Sequence, residues 1–219
     1  MSAARAVSWS VALPLILGAH PALAQSPWRV AGRLALVEER VDAGSGFGLE
    51  RFSGVGLGLD VEGRLGSRVT IGLRGQGATI RPEDSGDLDR RIGEAELGAV
   101  LALKPWWGVY SSVMVRAIAN DAGRQRWVLG RIGAEVRPAF TGGRLHALGR
   151  LGVIPLSSVS GLESSSLALD GLAGLEYDRD RYALRLTYGL ERFAFTSSNG
   201  NRRDEQLSTL TFRAGIRLR

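Results

Sequence analysis

The sequence predicts an all-β fold, a ten-stranded antiparallel up-and-down transmembrane β-barrel, and three observations carry that prediction. After Gln25, apolar residues alternate with small or charged ones at a period of two. The links between alternating segments are by turns short and long. Residues 1–24 read as an export leader, which leaves 25–219 as one barrel domain. Eight strands plus a hairpin is the nearest alternative.

The leader comes first. A single charge at Arg5 precedes an apolar run through Val11, Leu13, Leu15, Ile16 and Leu17, and Ala22-Leu23-Ala24 offers a small-x-small cleavage site before Gln25. The run is shorter than the roughly 20 residues of a spanning helix, and Pro14, Gly18 and Pro21 interrupt it. The chain has no cysteine, so neither a disulfide framework nor a lipid-modified cysteine is available. An exported chain of this kind is held together by its sheet.

The first strand is expected from Trp28 to Glu38. The second is the clearest, with Val55, Leu57, Leu59 and Val61 alternating with Gly56, Gly58, Asp60 and Glu62. The third sets Val69, Ile71 and Leu73 against Thr70, Gly72 and Arg74, and the fourth sets Ala95, Leu97, Ala99 and Leu101 against Glu94, Glu96 and Gly98. Val109, Val113 and Val115 mark the fifth strand, Val128, Ile132 and Val136 the sixth, and Leu145, Leu151 and Val153 the seventh. Leu167, Leu169 and Leu175 mark the eighth, Tyr182, Leu184 and Leu186 the ninth, and Leu210, Phe212 and Ile216 the tenth. Each is near the 9 to 11 residues that a tilted strand needs to cross a bilayer.

Short links are expected at Gly66-Ser67, Lys104-Pro105-Trp106, Arg137 to Gly143 and Tyr177 to Arg181. Long polar links are expected at Glu39–Arg51, Arg81–Arg90, Asn120–Gln125, Pro155–Ser165 and Arg192–Asp204. Short periplasmic turns facing longer extracellular loops give this alternation, and an even strand count returns both ends to one side. Aromatic residues gather at strand ends, as membrane boundaries favour. Trp28, Trp106, Trp107, Tyr177 and Tyr182 are expected in a periplasmic girdle, and Phe52, Trp127 and Phe193 in an extracellular one. A soluble periplasmic or secreted ligand-binding barrel would show the same alternation with the apolar face inward. Against it stand the loop asymmetry, the girdles, and a polar face rich in glycine where a solvated face would carry lysine.

In these features everything after the leader resembles the small outer-membrane β-barrel proteins of Gram-negative-type bacteria. The resemblance rests on pattern and implies outer-membrane lipid as the surroundings and the barrel-assembly machinery as a partner during insertion. Such proteins commonly end in an aromatic residue, whereas this chain ends Gly215-Ile216-Arg217-Leu218-Arg219.

If the apolar face meets lipid, the other face lines a charged lumen. Asp60, Glu62, Arg74, Glu94, Glu96, Arg116, Arg131, Glu135, Arg150, Glu176, Arg185 and Arg213 are its candidate network. Ten strands enclose little more room than side chains fill, and buried charges of both signs must pair. The expected result is a closed plug of ion pairs in a barrel of structural or surface-contact role. The alternative is a narrow pore in which Arg74, Arg116, Arg131 and Arg185 favour anions while Glu94 and Glu96 screen them.

The net charge of +6 comes from arginines spread along the chain, with Lys104 the only lysine, so nucleic acid is not an expected partner. Catalysis is not expected either. The omptin-like surface proteases, ten-stranded barrels, use aspartates with a histidine at the extracellular rim, whereas His146, the one histidine after the leader, begins the seventh strand near the periplasmic end. Acyl-transferring and phospholipase barrels resemble histidine-dependent designs, so the same argument applies to them. No cysteine, no second histidine and no compact carboxylate set suggests a metal or cofactor. The acidic stretch Pro82–Asp89 lacks the spacing of a calcium loop, and Gly54-Val55-Gly56-Leu57-Gly58 opens no helix that would cradle a nucleotide.

Overall fold

The computed structural model describes residues 28–44, 48–83, 88–140, 142–162, 165–179, 181–196 and 202–218. The expected leader therefore lies outside the described residues. Ten strands are present: β1 (Arg29–Asp42), β2 (Leu49–Leu65), β3 (Val69–Pro82), β4 (Arg90–Lys104), β5 (Trp107–Asn120), β6 (Gly123–Val136), β7 (Leu145–Val159), β8 (Leu167–Arg179), β9 (Tyr182–Thr196) and β10 (Arg202–Arg217). Each pairs antiparallel with its neighbours in sequence, and β1 pairs with β10 to close the barrel. Closure leaves no unpaired sheet edge, which is the condition a sheet must meet inside hydrocarbon.

The period of two sets the two faces of the wall. Leu57, Leu59, Leu97 and Leu151 are 61–73 % exposed on the outside, while Asp60, Glu96 and Glu176 on the other parity are 1–6 % exposed within. The apolar face is the outer one, the reverse of a soluble barrel. The last strand pairs with β1 from Arg217 opposite Arg29 to Asp204 opposite Asp42 despite its non-aromatic end.

The strands run 13 to 17 residues, longer than the alternating segments predicted. At about 3.3 Å per residue and a tilt of about 40°, the 15 residues of β4 rise roughly 38 Å. The apolar band of such barrels is only about 25 Å tall, so strands of this length outrun it. The five expected long links shrink accordingly. Residues 43–48 and 197–201 replace the longer spans expected between β1 and β2 and between β9 and β10. The link expected at Asn120–Gln125 is a two-residue turn, closed by Asn120 Oδ1 accepting from the amides of Ala122 at 3.1 Å and Gly123 at 2.9 Å. Pro155, expected to open a loop, lies within β7, where the register against β6 shifts. A proline cannot donate to the ladder and is accommodated at such a bulge. On the periplasmic side, Gly66 makes its turn at φ +64°, a conformation that side chains disfavour.

Candidate functional site in the barrel lumen

Inward-pointing residues of successive strands stack into layers, because cross-strand neighbours of one parity face each other about 5 Å apart. The layer nearest the periplasm is built around Glu176, whose side chain is 1 % exposed. It accepts from Arg185 Nε at 2.5 Å and from Arg137, with Arg29 at 3.6 Å. Arg29 also reaches Glu62 at 3.1 Å and Asp178 at 2.7 Å. Glu176 and Arg185 are cross-strand partners, as are Arg29 and Glu62, so the register itself makes these pairs.

In the middle layer one carboxylate meets three guanidinium groups. Asp60 lies 2.9 Å from Arg213, 3.5 Å from Arg74 and 3.6 Å from Arg33. Arg74 donates to Glu96 at 2.8 Å, and Arg213 to Glu62 at 2.9 Å. Across the lumen, Tyr110 Oη donates to Asp170 Oδ1 at 2.5 Å, and Arg150 lies 4.5 Å from the centre of the Tyr110 ring. The next layer joins Arg116 to Glu94 at 2.5 Å and to Glu191 at 2.7 Å, while Arg131 reaches Glu96 at 3.2 Å and also Glu191.

Above the charges the lumen turns apolar. Trp127, Phe193 and Phe195 pack with Met114, Leu129, Ile154, Val159 and Ala168. Phe52, Ile80 and Ile92 pack with Ala35, Val37, Ala78 and Leu207 on the facing wall. The outermost inward layer holds Arg90, 3.6 Å from the centre of the Phe52 ring and bonded to Glu39 at 2.9 Å and Glu50 at 2.8 Å.

Separate spaces remain between the side chains along the lumen. A space of about 250 Å³, lined by Arg64, Trp106, Trp107, Glu135 and Arg185 among others, faces the periplasmic mouth. About 70 Å³ remains among Arg116, Arg131, Glu94 and Glu191. A space of about 10 Å³, room for no more than a single water, lies beside Trp127 and Phe193.

Of the twelve residues predicted to form the lumen network, Asp60, Glu62, Arg74, Glu94, Glu96, Arg116, Arg131, Arg150, Glu176, Arg185 and Arg213 each come within 4 Å of an opposite charge. Glu135 lines the wide periplasmic space. The prediction missed Arg29, Asp178, Arg137, Arg90 and Glu39, which share the inward parity but lie at or beyond the strand ends it recognised.

The periplasmic aromatic set faces outward or rims the mouth. Tyr182 is 64 % exposed and Trp106 51 %, Tyr177 points out, Trp107 sits at the turn, and Trp28 lies over Gly63, where a side-chain carbon would come within 2.6 Å of its ring. The extracellular girdle is not formed as predicted. Phe52, Trp127 and Phe193 are 0–1 % exposed and point into the lumen. They were located by their closeness to strand ends, whereas Phe52 shares the parity of Asp60, Trp127 that of Arg131, and Phe193 that of Glu191. His146 faces the lumen near the periplasmic end, opposite Glu176, with its Nδ1 buried and unpaired among the described residues.

No known family profile and no curated protein sequence matches the chain. Solved structures do. The outer membrane protease OmpT from Escherichia coli aligns at a TM-score of 0.59 over 88 % of this chain and 97 % of its own, with 8 % identity. The chain has the outer-membrane β-barrel fold. Neisserial surface protein A aligns at a TM-score of 0.40 with 11 % identity, covering 86 % of this chain and 96 % of its own. Ail, the attachment invasion locus protein of Yersinia pestis, aligns at 0.39 with 13 % identity, covering 87 % and 98 %. At such identity the likeness to OmpT shows the fold alone.

Proposed function

We propose that this protein is an integral outer-membrane barrel, exported by a cleaved leader, that passes no solute, catalyses no reaction and serves a structural or surface-contact role through its extracellular hairpins. The outward apolar wall supports residence in lipid, since leucines exposed at this density have no stable place in water. The observation that carries the closed lumen is its filling: ion pairs cross it from Glu176–Arg185 to Glu191–Arg116, and the Trp127 and Phe193 rings pack above them. Paired charges below and packed apolar side chains above leave a hydrated ion no continuous path.

Two facts support a non-enzymatic reading. The outer half of the lumen, where an omptin-like site would lie, is filled with apolar side chains. The chain's histidines are His20, within the expected leader, and His146, near the periplasmic end. The test is the full chain, folded in detergent and inserted into a planar bilayer. A heat-modifiable band in a gel together with electrical silence is expected. Stepwise anion-selective current would replace the plug with the narrow pore, and a protein that stays folded and monomeric without detergent would overturn the membrane placement.

A further inference from the structure

The outer face of the extracellular hairpins carries a one-sided belt of arginines that the lumen network does not use. Arg51 on β2, Arg81 on β3, Arg91 on β4, and Arg124 and Arg126 on β6 are all exposed and share the parity of the outward leucines and valines of their strands. No outward position of β2 to β6 holds a carboxylate. Asp89, 3.7 Å from Arg81, is the one counter-charge within ion-pair distance of these five among the described residues. On β1, which flanks β2 and sets Arg40 opposite Arg51, and on the next strand β10, the same height is mixed. There Glu38 bonds Arg40 at 2.6 Å, and Asp204 meets Arg202 at 3.0 Å.

The register gathers three of the five. Arg91 lies opposite Ala119, and Ala119 opposite Arg124, so the two arginines share a row about 10 Å apart at their backbones. Arg126 lies one row lower, opposite Ala117. Because β5 offers only Ala117 and Ala119 between them, nothing tall separates the three guanidinium groups. Directly below on the same strands begins the apolar wall, with Ala95, Val115 and Val128. Three guanidinium groups gathered on one face with no carboxylate at an outward position of these strands present a local positive potential that attracts an anion.

We infer that this face is a docking surface for lipid headgroups bearing a terminal phosphate, held chiefly by Arg91, Arg124 and Arg126. The proposal rests on the membrane placement above but not on the closed lumen. Arginine supplies paired donors that match phosphate oxygens, and the chain uses arginine here at every basic position. The apolar wall below argues for a lipid over a free anion, because acyl chains attached to a headgroup at this height would run down that wall. A one-sided belt further implies that this side of the barrel selects its neighbouring lipids.

The test is mass spectrometry of the intact full-length protein released from detergent micelles after exposure to phosphatidic acid, to phosphatidylcholine or to inorganic phosphate. Phosphatidic acid should be retained and phosphatidylcholine should not, with retention falling as salt rises. Basic residues near an anionic surface contribute enough each that R91Q, R124Q and R126Q together should weaken retention by about a hundredfold. All three side chains are exposed, so the variant should keep its heat-modifiable mobility; A119L, which fills the gap between the arginines without changing charge, is a second variant. Equal retention of both lipids, undiminished retention by both variants, or displacement of the lipid by equimolar inorganic phosphate would overturn the assignment. A protein that inserts into bilayers yet fails these tests loses the headgroup site alone, whereas one that does not insert loses the membrane placement itself.

Discussion

Trp127 and Phe193 meet edge to face inside the barrel, their ring centres 5.0 Å apart at 72°, although two strands of the wall separate β6 from β9. A contact between non-adjacent strands lies in the lumen, and this one is the centre of the apolar cap. Trp127→Ala should therefore lower stability by roughly 3–5 kcal/mol, the usual loss for a large aromatic removed from a packed site. The shift in the temperature at which the gel band changes mobility measures it. Trp127→Ala combined with Phe193→Ala should also give brief current openings in a bilayer where the parent is silent.

The inward orientation of Trp127 has a second consequence. In variants retaining one tryptophan each, lipids brominated on their acyl chains should quench Trp28 fluorescence strongly and leave Trp127 fluorescence nearly unchanged. Strong quenching at Trp127 would restore the extracellular girdle and remove the cap.

Glu191 bridges Arg116 and Arg131, the most enclosed guanidinium groups of the lumen. Glu191→Gln keeps the shape and removes the charge both depend on, so it should cost about 3–5 kcal/mol, the loss seen when one partner of a buried ion pair is neutralised. Urea titration of the detergent-folded protein reports it. Restoring neutrality with Arg131→Met in the same chain should recover part of the loss, since the one excess positive charge is removed while Arg116 keeps Glu94.

Tyr110 donates a short hydrogen bond to Asp170, and Gly152 makes room for it. Tyr110→Phe should cost about 1–3 kcal/mol by leaving the carboxylate short of a donor. Gly152→Ala should be worse, because its new carbon would lie 2.1 Å from the Tyr110 oxygen and 2.7 Å from the Ile132 carbonyl. Comparing the two unfolding midpoints checks the order.

The strand count and the two faces of each strand were legible from the sequence, because the two-residue period acts along each strand and needs no knowledge of its neighbours; the outward turn of the apolar face was read from the alternating link lengths and the glycine-rich polar face. The charged lumen was legible for the same reason: Asp60, Glu96 and Arg131 stand on the parity opposite the leucines. Two features were misjudged locally. Pro155 sits at a bulge within β7, and β6 and β7 shift register there; the polar stretch at Asn120 is a tight turn whose length depends on pairing beyond the apolar band.

What only the tertiary structure decided is which charges meet and where the lumen ends. Asp60 faces Arg33, Arg74 and Arg213, which come from β1, β3 and β10, and only closure of the sheet brings those strands around one carboxylate. Phe52, Trp127 and Phe193 likewise had an inward parity written in the chain, but parity assigns a face and not a neighbour. Whether an inward ring meets an open pore or other rings across it depends on the diameter of the barrel and the stagger of its strands, and those are properties of the closed sheet.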